Sequence, residues 1–281
     1  MWEALQLEFV RNALTAGILV SVVCGVIGTL VVVNRIVFLA GGIAHAAYGG
    51  IGLAFFMGWP YLAGTVGFSL LSAGVMAAVT LKAKHRSDAI VGVIWAVGMA
   101  VGVILLDLTP GYNVDLMSYL FGSILAVPAS DLWQMGAMGI IVIVIVTYYY
   151  NDFLAMSYDD EFARLRNIPV TFLYCLLLGM IAITVVMIIR VVGLILVIAL
   201  LTIPPFIAEK FTGSLRTMMV ASSILSCLFT ITGLCLSYLL NLTSGATIIL
   251  VAAAGFFMAV LWERLKPIRS ANSSAGIINS G

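Results

Sequence analysis

His45 is the one residue whose type suits chemistry in a place where an ionisable group is costly to keep. It lies in an apolar stretch from Arg35 to Gly52 that carries no other charge. Ten helical residues at 1.5 Å each put it about 15 Å from Arg35, near the middle of a hydrocarbon layer. An ionisable side chain at that depth marks a functional position by default, and neutral imidazole is the commonest transition-metal ligand. Gly41 and Gly49 sit one turn to either side of His45 on its own face, Tyr48 lies beside them, and Gly42, Ala46 and Gly50 make a second small-residue stripe. Two readings stand at this stage. The small residues open a lumen beside a metal-contacting imidazole, or they let another helix pack closely while the imidazole bonds one of its carbonyls. A closed metal site takes three or four ligands; a path that must release its ion works with fewer.

Three other stretches, and a few scattered residues, could carry chemistry. Asp159, Asp160 and Glu161 precede Arg164 and Arg166, with Ala163 between. Acids before bases suit a short helix and its dipole, either as a solvated loop helix or as a docking helix for an ATPase. Pro204 and Pro205 end an apolar run from Gly193 to Ala208; a proline pair removes two backbone donors, which predicts a kink or unwound turn, or a plain helix terminus. The aromatic stretch Ser118–Leu125 reads as an interfacial helix or part of a gate. Asp107, Asp115 and Asp131 are hard oxygen ligands expected mainly as solvated loop carboxylates. His85 stands among Lys82, Lys84 and Arg86, a cationic setting that disfavours metal. Cys24, Cys175, Cys227 and Cys235 form no CxxC and read as inert small residues inside apolar runs.

The elements that must position these residues follow from composition. Of 281 residues, 63% are hydrophobic and 9% charged, and the mean hydropathy is +1.20. Soluble domains carry roughly 25% charged residues, so the natural solvent is lipid. The expected fold is all-α: a polytopic integral membrane protein of about nine transmembrane helices, with a short outer re-entrant or interfacial helix and a cytoplasmic coupling helix. The nine apolar runs are Ala13–Val33, Ile36–Phe56, Tyr61–Leu81, Ala89–Leu106, Leu132–Tyr150, Val170–Ile189, Val191–Ala208, Met218–Leu239 and Ala246–Trp262. They form a single transmembrane domain over 1–269, followed by a small, polar tail, 270–281, that reads as disordered. The N-terminus has no basic segment or cleavage site of a signal peptide. The net charge of +1 offers nucleic acid no basic field.

Nine crossings place eleven of the thirteen basic residues on one face; Arg11 and Arg190 are the exceptions. By the positive-inside rule that face is cytoplasmic, with the N-terminus outside and the C-terminus inside. No P-loop is present, so ATP-driven transport would need another chain as its ATPase. No Ser/His/Asp, Cys/His or HExxH arrangement points to an enzyme.

Four of these stretches, and a fifth at Ser244–Leu250, occur in the same order in one family. The chain resembles the permeases of ABC importers for zinc, manganese and iron. Gly41–Gly52 resembles the family's second-helix histidine motif, and Ser118–Leu125 its Ser-Tyr-Leu-Phe-Gly-x-x-Leu stretch. Asp160–Pro169 is similar to its coupling segment, Gly193–Ala208 to its late Gly-to-Pro element, and Ser244–Leu250 to a late-helix motif. The resemblance runs from about Ala13 to Leu261. It implies a homodimer of permeases in the plasma membrane with a central path, a cytoplasmic ATP-binding-cassette ATPase dimer on the coupling segments, and an extracytoplasmic solute-binding protein. It also implies that His45 lines the path and contacts a transported divalent metal, zinc or manganese first and iron behind, with no resident cofactor. Many members carry an Asp four residues before this histidine; here that position is Gly41. Asn167 stands where the coupling segment frequently has Gly; Asn tolerates left-handed backbone nearly as well. Alternatives are a permease for a metal chelate or cobalamin-like solute, and a secondary cation carrier, which would want several intramembrane carboxylates.

Overall fold

The computed structural model describes residues 7–82, 87–110, 124 and 127–265. Among them are ten helices and no strand: α1 Glu8–Val33, α2 Val37–Met57, α3 Tyr61–Lys82, α4 Ser87–Asp107, α5 Ala129–Tyr148, α6 Tyr150–Tyr158, α7 Asp160–Leu165, α8 Val170–Glu209, α9 Leu215–Leu240 and α10 Ser244–Leu265. Of the outer segment 116–127 only Ile124 and Val127 are described. Asp115, most of Ser118–Leu125, His85 with its neighbours Lys84 and Arg86, and the tail 270–281 lie outside the described residues.

These segments are helices because lipid offers backbone groups no partner, so each span must bond its own. Eight helices among the described residues are long and apolar enough to cross a membrane, and Gly193–Glu209 is a shorter apolar helix. Together they occupy the nine expected runs, as eight long helices and one short one.

The short one arises inside α8. Gly193 interrupts the helix at φ 78°, ψ 170°, a backbone region essentially reserved for glycine. A straight helix of 40 residues would hold its ends about 59 Å apart. Yet Val170 borders one cavity with Val33 and Tyr158, and Glu209 borders another with the same two residues. The chain therefore turns back at Gly193, and both ends of α8 lie beside the C-terminus of α1. The second half is fastened there by an ion pair between Lys210 and Glu263 of α10.

Helix α2 is the most enclosed span, 78% buried over its apolar window, and packs against α4, α3 and α8. Glycine makes this possible. A Cβ on Gly52 would stand 2.3 Å from the Gly102 carbonyl oxygen of α4, and one on Gly102 would stand 2.5 Å from the Tyr48 carbonyl oxygen. On the α3 side a Cβ at Gly50 would meet the Gly64 carbonyl oxygen at 2.9 Å. Between membrane helices such close van der Waals contact replaces the hydrophobic drive that water supplies elsewhere.

Helices α1 and α9 use the same device with hydroxyls added. Gly17, Ser21, Gly25 and Thr29 are spaced four apart on α1. Ser21 Oγ and Thr230 Oγ1 are 3.0 Å apart, Ser223 Oγ donates to the Val22 carbonyl at 3.2 Å, and the Gly25 Cβ position falls 2.3 Å from the Ser223 nitrogen.

Gly102→Val is expected to lower the thermal midpoint of the detergent-purified protein, at a cost of about 1–3 kcal/mol from overpacking. Gly136, which has nothing within 4 Å of its Cβ position, supplies the control: Gly136→Val leaves the midpoint unchanged. Gly193→Ala is expected to cost about 1–3 kcal/mol through backbone strain alone, read by the same melting curves.

Candidate functional site

His45 is half-buried on α2, and its ring stacks on Trp95 of α4 with centroids 4.0 Å apart and planes 14° apart. Trp95 is itself held by its Nε1–H, which donates to Met99 Sδ at 3.3 Å, and by Phe38 at 6.1 Å. The stack fixes the imidazole plane. His45 Nδ1 is buried without a hydrogen-bond partner among the described residues. Leaving a buried acceptor or donor unpaired costs roughly 1–3 kcal/mol, and native proteins keep few such groups without a water, ion or function to account for them. Nδ1 makes no bond to a neighbouring helix carbonyl among the described residues.

The residues grouped with His45 divide. A Cβ at Gly41 would meet only Ile198 of α8, at 3.5 Å, an ordinary contact, so the position one turn before the histidine would accept a Cβ. A Cβ at Gly49 would meet Phe68 Cζ at 2.7 Å and the Gly98 carbonyl oxygen at 2.9 Å. Gly49 is thus a packing residue between α2, α3 and α4. Tyr48, 3% exposed, packs its backbone and ring against Gly102. No group of three His, Cys, Asp or Glu side chains that could hold a metal occurs among the described residues.

The expected coupling helix is α7. Asp159 caps it: Oδ1 accepts from the backbone N–H of Glu161 at 3.0 Å and of Phe162 at 2.9 Å, satisfying two of the free donors at a helix start. Asp159, Asp160, Glu161 and Arg164 are exposed, whereas Ala163 is fully buried and seats the helix. The outward apolar surface comes from Phe162 and Leu165, 51% and 82% exposed. Asn167 has φ 59° and follows the last turn in left-handed backbone, the conformation its place in the motif predicts. A cavity of about 720 Å³ joins this helix to the α1–α2 turn; its wall includes Asn34, Arg35, Asp159, Glu161 and Arg164. Asn34 ties this turn to α6, the helix that leads into α7, donating through Nδ2 to Ser157 Oγ at 2.9 Å.

Of the outcomes expected for Pro204 and Pro205, the unwound turn is absent. Both lie inside α8; the non-helical residue is Gly193. The carbonyl of Leu201, which would bond the nitrogen that Pro205 lacks, instead lies 2.6 Å from the Cβ position of Gly28. A glycine on α1 therefore makes space for the group that proline leaves unbonded. Asp131 departs from expectation: Asp107 is exposed as expected, but Asp131 is only 5% exposed.

Sequence reasoning did not single out Trp95. A lone tryptophan within an apolar run is visible, but its stacking partner is set by the register of α2 against α4. That register was signalled by Gly98 and Gly102, four residues apart.

The sequence and the fold have counterparts among known proteins. The chain is 49% identical to an uncharacterised membrane protein of Synechocystis sp., over 94% of each chain. It is 33% identical to the manganese transport system membrane protein MntC of Listeria monocytogenes, over 92% of each. The solved structure of PsaBC from Streptococcus pneumoniae in complex with Fab superposes with a TM-score of 0.84 at 28% identity, covering 92% of this chain and 93% of that one. The sequence profile of the ABC 3 transport family matches residues 6–263. This multi-pass membrane protein belongs to the ABC 3 transport family.

Proposed function

We propose that this chain is the membrane-spanning permease of an ATP-driven importer of divalent transition-metal ions, manganese or zinc. The observation that carries the reading is His45: an imidazole near mid-membrane depth, fixed by Trp95, with a buried nitrogen that nothing among the described residues pairs. Relatives named as manganese transport proteins support the choice of cargo. A neutral imidazole binds these metals, and a single one binds them weakly enough to let go.

The same reading assigns the remaining parts. The end of the bundle bearing Arg35, Lys82, Arg164, Arg166, Lys210 and Arg216 faces the cytoplasm, as the basic bias favours. Two copies pair around a central path, for which the apolar outer faces of the spans, such as Val93, Val97 and Ile104 of α4, offer surface. A cytoplasmic ATPase dimer docks on α7, with Phe162 and Leu165 as apolar anchors and the acidic residues as its rim. An extracytoplasmic binding protein delivers the ion to the opposite end. ATP-driven motion of α7 passes to the adjoining α6 and from its Ser157 to Asn34 in the α1–α2 turn, and the helices beside His45 then open to one side or the other. The second half of α8, with Pro204 and Pro205, faces Gly41 through Ile198 and is the wall that shifts.

Cells lacking this gene should regain manganese or zinc content under metal limitation when given the wild type. Those given His45→Ala should stay at the level of cells lacking the gene; restoration by His45→Ala would remove the imidazole from the path. Docking is tested by copurification. Phe162→Asp with Leu165→Asp should weaken ATPase association by more than about tenfold, the loss of one interface anchor, while melting unchanged from wild type. Undiminished ATPase recovery would sink the docking assignment.

A further inference from the structure

The donor that an ion meets at His45 is of one chemical kind. His45 is the ninth of the 21 residues of α2, about 12 Å along the helix from its start. No Asp, Glu, Lys or Arg occurs in α2. The helices packed around it bring no carboxylate to that depth. Beside His45 and its neighbours, α4 presents the Trp95 ring and the backbone at Gly98, α3 presents Met76, and α8 presents Ile198. Among the described residues, every Asp and Glu stands either in the stretch 150–165 or within three residues of the end of a span. A two-fold axis along the membrane normal keeps equivalent residues at equal depth. The second copy proposed above therefore brings another imidazole to the centre and, from these residues, no carboxylate.

Divalent first-row metals differ in what a nitrogen donor gives them. Affinity rises from Mn²⁺ to Cu²⁺ along the series, and Mn²⁺ is the weakest member. Imidazole suits zinc, whereas manganese, like magnesium and calcium, is suited by carboxylate, carbonyl and water oxygen. Charge is costly deep in the hydrocarbon layer, and here no fixed negative charge offsets that of the ion. What lowers its energy at the deepest point is then the bond to nitrogen, which favours Zn²⁺. Gly41 sharpens the contrast. It lies one turn before His45 on the same face, where Cβ atoms stand about 5–6 Å apart, close enough for two side chains to share an ion. A Cβ there would make only an ordinary contact with Ile198, so packing at the Cβ is not what keeps this position glycine.

We propose that this permease carries Zn²⁺ in preference to Mn²⁺, because the donor at the centre of its path is imidazole nitrogen with no carboxylate at the same depth. The proposal rests on the importer reading and narrows the cargo which that reading leaves open.

The Trp95 ring, stacked on His45, supplies the probe. Trp2→Phe, Trp59→Phe, Trp133→Phe and Trp262→Phe leave Trp95 as the sole tryptophan of the chain. The detergent-purified full-length protein is titrated with ZnCl₂ or MnCl₂ while the Trp95 emission is read. Half-saturation by Zn²⁺ should come at a concentration at least about tenfold below that for Mn²⁺. His45→Gln in the same background should abolish both responses. Gly41→Asp should lower the Mn²⁺ value and close most of the gap; Gly41→Asn, alike in shape but uncharged, should not. Equal values for the two ions, a lower value for Mn²⁺, a response that survives His45→Gln, or no response at all overturns the proposal. The importer reading is tested apart from it, with the whole transporter, its ATPase and its delivery protein in liposomes, offered ⁶⁵Zn²⁺ and ⁵⁴Mn²⁺ at equal concentration. ATP-driven uptake should favour ⁶⁵Zn²⁺. Uptake that favours ⁵⁴Mn²⁺ overturns the zinc preference and leaves the importer standing, whereas uptake of neither ion overturns the importer reading itself.

Discussion

The contact of α2 with α4, backbone against backbone, governs the rest of the structure. With Gly52 set against Gly102 and Gly98 against Ala46, the two helices approach until main-chain atoms meet. That closeness fixes both their register and their rotation. It is what delivers the Trp95 ring onto His45 and leaves Tyr48 buried against Gly102. In lipid no solvent penalty forces two apolar helices together, so small residues decide which helices touch and where. The stack of His45 on Trp95 is thus positioned by residues with no chemistry of their own.

Much of this was readable in the sequence. The apolar runs gave their own positions because a span must bond its backbone internally, and the shortfall of one long helix comes from Gly193, whose turn falls where two runs nearly adjoin. His45 stood out as a candidate because an ionisable residue in so apolar a stretch is rare. Asn167 was legible because its motif position demanded left-handed backbone. The break did not fall at Pro204 and Pro205, because a proline near a helix end can stay helical when a neighbouring glycine, here Gly28, accommodates the orphaned carbonyl. The burial of Asp131 was not legible either. A carboxylate near a loop reads as solvated, and only the approach of α8 and α3 encloses it.

The two ends of the bundle differ in kind. One end is wet and charged, with a large cavity between α7 and the α1–α2 turn, where Asn34, Ser157 and the capped Asp159 connect a surface helix to the spans. The other has a tight cavity lined by Tyr61, Asp131 and side chains of α5 and α8. Between them lies the stacked histidine, facing α4, with the unfilled place at Gly41 facing α8. A carboxylate there would make a stronger, slower site; its absence leaves an imidazole alone at the centre.

The reversal at Gly193 also bears on how the protein enters the membrane. Gly193–Glu209 extends about 25 Å as a helix, short of the roughly 30 Å hydrocarbon core, and it contains two prolines. Alone it is a poor candidate for independent insertion. Joined to Val170–Ile189 by a single left-handed glycine, it can cross as the returning arm of one hairpin, carried in by the stronger arm. The segment that packs opposite Gly41 through Ile198 would then enter the bilayer as a dependent of its parent helix rather than as a span of its own.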